Sequence, residues 1–102
     1  MENIARELRA WYTTGLRIAI WGGAGEPAAF LQAHGVDNLR FPVIISPAWL
    51  MENPMDIIVI PCRSQADEIV RAIDKARIPY EGILIPDEGR LVDFHAAEMM
   101  FA

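Results

Sequence analysis

One stretch of the chain constrains the fold more than any other: the run Asp-Ile-Ile-Val-Ile-Pro at residues 56–61. Its four consecutive branched apolar residues leave no polar face, which is typical of a parallel strand buried on both sides. Such a strand needs helices packed on each face of its sheet. The run therefore predicts an α/β domain whose other segments must supply those helices.

The segments around this run alternate between helical and strand patterns. Ile4 and Leu8 lie on the apolar face of an amphipathic helix that is predicted over residues 2–14. Further along the chain, Ser64 and Asp67 resemble a capping box, which predicts the start of another helix. In chain order the other predicted elements are a strand over 16–21, a helix over 27–34, a strand over 39–46 that Pro42 places near an edge, a helical turn over 47–50, a helix that ends before Pro79, a strand over 81–85, a turn over 86–89 and a returning strand over 90–94.

These elements fit one small Rossmann-like domain over residues 1–102, with three layers and a mainly parallel sheet that ends in a C-terminal antiparallel hairpin. The helix over 2–14 and the apolar tail over 95–102 stand outside the alternating unit in this interpretation. The chain is 53% hydrophobic with a mean hydropathy of +0.19. We therefore expect a homo-oligomer that forms through the N-terminal helix and the C-terminal tail.

Charge, apolar run length and cysteine content argue against several function classes. The net charge is −5 and the nine basic residues are scattered, which disfavours binding to nucleic acid. The apolar runs are shorter than the roughly 20 residues that span a membrane, and residues 1–10 do not resemble a secretory signal. Because Cys62 is the only cysteine, no internal disulfide forms, and we predict a cytoplasmic location. No cofactor is identified, and the loose spacing of Asp93, His95 and Glu98 is too weak to predict a metal site.

A glycine-rich turn is the first candidate binding element. Gly22, Gly23 and Gly25 follow the strand over 16–21, and Glu26 precedes the next helix. Backbone N–H groups in such a turn, together with the helix N-terminus, suit a phosphate or carboxylate. Position 28 is Ala28, where the dinucleotide-binding fingerprint has its last glycine. A tight turn that only lets helix and strand pack closely is the alternative.

The second candidate is the segment Cys62, Arg63 and Ser64, which follows the run at 56–61. Ligands of open α/β sheets bind beyond the carboxyl ends of the strands. We therefore predict a crevice for a small anionic or nucleotide-type ligand between residues 22–26 and residues 62–64. Cys62 as the nucleophile of a small enzyme is a rival interpretation, and a buried structural cysteine with Ser64 as helix N-cap is another.

Four motifs stand out as a set, namely segments 16–26, 41–50, 56–61 with its continuation to 66–69, and 82–86. Together they resemble one family, the C-terminal Rossmann-like domain of S-adenosylmethionine-dependent C-methyltransferases, including sugar-modifying ones, and related nucleotide-binding-like domains of polysaccharide biosynthesis. The resemblance implies a domain that helps to hold a nucleotide-linked or small acidic substrate while a separate domain transfers the methyl group. The region between the first helix of that unit and Phe41 is shortened here.

The sequence thus favours a freestanding, non-catalytic binding or accessory module. The alternative is a homo-oligomeric structural protein with no small-molecule ligand.

Overall fold

The computed structural model describes residues 4–22, 26–36, 39, 41–44, 46–87 and 90–96. Within them the predicted α/β class is confirmed. The elements are α1 (Ile4–Thr13), β1 (Ile18–Trp21), α2 (Glu26–Ala33), β2 (Val43–Ile44), α3 (Pro47–Glu52), β3 (Ile57–Val59), a short 3-10 helix (Arg63–Gln65), α4 (Ala66–Lys75), β4 (Gly82–Asp87) and β5 (Arg90–Asp93).

The five strands form one sheet in the order β2-β1-β3-β4-β5. The first four are parallel, and β5 runs antiparallel to β4, so the mainly parallel sheet with a C-terminal hairpin is confirmed. Ile20 of β1 is in register with both Val43 and Val59, and Val59 is in register with Leu84. β2 lies at an edge of the sheet, as the proline that precedes it predicts.

Alternate residues of the strands face two separate hydrophobic clusters. Ile18 and Ile20 pack with α1 and α2, whereas Ala19 and Trp21 face the cluster that contains α3 and α4. Ile58 of β3 and Ile83 of β4 lie in that second cluster and are fully buried. The sheet is therefore covered on both faces, which explains why its central strands lack polar positions.

The position of α1 corrects one expectation. Ile4 and Leu8 are 1% and 0% exposed and pack against β1, so α1 belongs to a helical layer instead of standing outside it. Ile4 and Leu8 are thus covered by their own chain, whereas Tyr12 at the end of α1 is 48% exposed, so an oligomer through this helix stays a prediction. Most of the tail over 95–102 lies outside the described residues, so its part in an oligomer stays a prediction.

The C-terminal hairpin also differs from its predicted boundaries. Pro86 and Asp87 belong to β4, where they pair with Leu91 and Arg90, and not to the predicted turn over 86–89. Because β3 ends at Val59, opposite Leu84, Pro86 lies past the end of that neighbour and need not donate a ladder hydrogen bond to it. β4 therefore reaches further toward the carboxyl edge than the sequence predicts.

Candidate functional site

The strand order places a switch point between β1 and β3. From β1 the chain passes to β2 on one side of the sheet and then crosses to β3 on the other side. In doubly wound sheets the ligand crevice lies beyond the carboxyl ends of the strands at such a point. Since β1 and β3 are parallel neighbours, the two predicted loops, after Trp21 and after Ile60, leave the sheet at the same edge.

Gly22 is the described part of the glycine-rich turn. It is buried and has φ of 155°, a backbone conformation that other residues rarely adopt, so a glycine suits the exit from β1. Glu26, four residues after Gly22, is the first residue of α2. Gly23, Gly25 and the Glu26 side chain lie outside the described part of the chain. The anion-binding turn that the three glycines predict is thus described only at its first residue.

The segment after β3 differs from the sequence interpretation in one respect. Ser64 is not the N-cap of α4, because it lies inside the 3-10 helix, and α4 begins at Ala66 after Gln65 without any side-chain cap. The Ser64 hydroxyl instead lies 3.2 Å from the Cys62 sulfur. Cys62 is half-buried and not fully buried as a structural cysteine would be, while Arg63 and Ser64 are exposed. The capping-box prediction is therefore wrong.

A contact that sequence reasoning misses joins this segment to the end of β4. The Arg63 Nη1 donates to Asp87 Oδ1 at 3.0 Å, and the two side chains are 51% and 44% exposed. The sequence places Asp87 in a turn, whereas the extended β4 brings it beside the loop that follows the neighbouring strand. An exposed guanidinium and a carboxylate therefore meet at the carboxyl edge, and the Ser64 hydroxyl belongs to the residue that follows Arg63.

The opposite, amino edge of the sheet carries a second charged pair. Asp56 accepts hydrogen bonds from the backbone N–H of Arg17 at 2.8 Å and from its Nη2 at 3.2 Å. The hydrogen bonds from Arg17 lower the pKa of Asp56, and the same pair raises the pKa of Arg17. This pair joins the start of β1 to the start of β3, so its role is structural.

Two shallow clefts also lie at the amino edge. One, of about 210 Å³, is lined by Arg17, Asp56, Tyr80 and Glu81 among others. The other, of about 190 Å³, is mainly apolar and includes Tyr12, Phe41 and Met55 in its lining. Arg17 and Asp56 bind each other, and few polar groups are left to bind a ligand in either cleft. The carboxyl edge therefore remains the better candidate site.

The described residues contain no group of three side chains that could hold a metal ion, and Glu98 lies outside them. No helix in the described part of the chain has both the length and the apolar character needed to cross a bilayer. Comparisons of the chain with protein-family models, with curated proteins and with solved structures find no match.

Proposed function

We propose that this chain is a non-catalytic ligand-binding or accessory module that takes a small anionic or nucleotide-linked ligand at the carboxyl edge of its sheet. The observation that carries the proposal is the switch point between β1 and β3 beside the exposed guanidinium of Arg63. The positive φ of Gly22 directly after β1 and the start of α2 at Glu26 support the same edge.

The ligand class follows from the chemistry of these groups. Arginine presents a planar set of N–H donors that matches the oxygens of phosphate and carboxylate groups. The N-terminus of a helix also favours an anion. The family resemblance described above adds nucleotide-linked substrates and S-adenosylmethionine to the compounds worth testing. A cytoplasmic location is part of the proposal and rests on the single cysteine.

Thermal unfolding in the presence of candidate ligands tests the proposal. Nucleoside diphosphates, a nucleotide sugar, inorganic phosphate and S-adenosylmethionine form the panel. A ligand that binds the native state at 100 times its Kd stabilises it by about 2.7 kcal/mol, so the unfolding midpoint should rise clearly.

Two variants show whether such a shift comes from the proposed edge. We expect Arg63→Gln to reduce the shift because it removes the exposed guanidinium. Arg71→Gln, on the exposed face of α4, removes the same charge elsewhere and should keep the shift. The proposal fails if no compound raises the midpoint, or if the two variants reduce the shift equally.

A homo-oligomeric structural role is the second candidate, and exposed apolar side chains near the β2 edge favour it. Val43 on β2, Tyr12 at the end of α1 and Met51 on α3 are 44%, 48% and 65% exposed. The Tyr12 ring contacts Phe41, two residues before Val43, so these apolar groups lie near the edge of the sheet that β2 forms.

A further inference from the structure

We propose that Asp87 is an internal competitor for Arg63, which weakens the binding of anions at the carboxyl edge and thereby sets the affinity of the site. The inference rests on the proposed function, since it concerns the same edge. It starts from the ion pair between Arg63 Nη1 and Asp87 Oδ1, whose atoms are 3.0 Å apart.

The geometry of the pair leaves Arg63 only partly engaged. Asp87 accepts from one terminal nitrogen through one oxygen, whereas Arg17 meets Asp56 with two side-chain nitrogens and its backbone N–H. Among the described residues, no other side chain accepts a hydrogen bond from Arg63. The rest of the guanidinium is therefore open to a ligand oxygen.

The exposure of both partners shows that the pair adds little to the stability of the fold. Arg63 is 51% and Asp87 is 44% exposed, and ion pairs of that kind contribute little to the free energy of unfolding. Asp87 therefore does not hold Arg63 rigidly in place for a ligand. Its main effect on an incoming anion is to occupy a donor and to add a like charge nearby.

The size of this effect follows from Coulomb's law. The repulsion between two unit charges about 4 to 6 Å apart in water weakens binding about threefold to fivefold, and the lost donor adds to that effect. Removing the Asp87 charge should therefore tighten binding of a phosphate-bearing ligand about threefold to tenfold. A doubly charged phosphate feels this repulsion more strongly than a singly charged carboxylate, so phosphate should gain more.

The test measures the Kd of inorganic phosphate and of adenosine diphosphate by calorimetry for wild type and for Asp87→Asn. We expect tighter binding by the variant, and near-wild-type binding by Asp87→Glu, which keeps the carboxylate. Arg63→Gln combined with Asp87→Asn should lose the gain, because the competed group is then absent. Asp87→Thr, which suits a strand, serves as a second neutral variant should the asparagine variant fold poorly.

Glu81→Gln is the matched control, since Glu81 is exposed at the amino edge and loses the same charge far from Arg63. If wild type and Asp87→Asn both fail to bind either probe, the inference fails, and the thermal unfolding panel then decides the proposed function. If wild type binds and Asp87→Asn binds no more tightly, the inference alone is overturned. An equal gain in Glu81→Gln also overturns it, because the cause is then the net charge of −5 and not Asp87.

Discussion

Arg77 shows how a single residue can depart from what its side chain prefers. It has φ of 57°, and it is the one non-glycine with a positive φ in the described part of the chain. Its backbone N–H bonds to Asp74 and that of Ile78 bonds to Ile73, the pattern that closes a helix with a left-handed residue. Gly35 occupies the same position after α2, with φ of 66°. The sequence marks the end of α2 by this glycine, whereas at the end of α4 only Pro79, two residues after Arg77, marks the stop.

A glycine placed at Arg77 and an alanine placed at Gly35 should therefore change the free energy of unfolding in opposite directions. We expect Arg77→Gly to raise the free energy of unfolding by about 0.5–1 kcal/mol, because the cost of the left-handed backbone exceeds the extra chain entropy of glycine. Gly35→Ala should lower it by about 1 kcal/mol. A Cβ at Gly35 meets nothing within 4 Å, so that loss comes from the backbone alone. Urea unfolding of both variants measures the changes, and a loss of stability in Arg77→Gly contradicts the argument.

At the scale of elements, one hydrogen-bonded cluster ties the end of α4 to the segments before β4 and after β5. The Tyr80 hydroxyl lies 3.0 Å from Asp74 Oδ1 and 2.9 Å from His95 Nε2. A hydroxyl has one proton, and the carboxylate can only accept, so Tyr80 donates to Asp74 and accepts from His95. The rings of Tyr80 and His95 are also stacked, with centroids 6.1 Å apart.

This cluster predicts that the folded state loses stability as the pH rises into the alkaline range. Burial, followed by the hydrogen bond to Asp74, raises the pKa of Tyr80 from 10.0 to about 12. Between these two values the folded state holds a proton that the unfolded state has lost, so the stabilisation present below pH 10 declines as the pH rises toward 12. Chemical unfolding across this range measures the decline. Tyr80→Phe should lack that part of the decline, and an unchanged profile in the variant contradicts the assignment.

At the scale of the whole molecule, the sheet has one edge at β2 that its own chain leaves unpaired among the described residues. An open strand edge beside exposed apolar side chains is a surface on which a second copy can pair. If the homo-oligomeric alternative holds, light scattering should find a mass above that of the 11.4 kDa chain. Val43→Lys should then return the protein to a monomer, because a charged edge opposes pairing.

Ala72→Lys is the control for that substitution. Ala72 is exposed on α4, which lies on one face of the sheet, and lysine suits a helix there. A wild-type protein that stays monomeric at high concentration removes the oligomeric alternative. An oligomer that both variants disrupt equally contradicts the assignment of its interface to the β2 edge.

The sequence by itself determined the order of the main helices and strands and the layered α/β class, although not the layer that α1 joins. The run at 56–61 predicts a buried central strand, and the spacing of apolar residues in α1 and α4 predicts helices with one buried face. These signals are local, because the period of the apolar residues already records which faces are buried. The edge position of β2 and the hairpin of β4 with β5 also follow from local prolines and turn residues.

Only the tertiary structure decided which distant groups meet. Arg17 with Asp56 and Arg63 with Asp87 are separated by 39 and 24 residues, and their contacts depend on strand order and on where each strand ends. Ser64 is not the predicted N-cap of α4, because a 3-10 helix that contains it forms between β3 and α4. Local patterns report burial and backbone preference, whereas pairing across the sheet depends on register and crossover direction, which no single segment encodes.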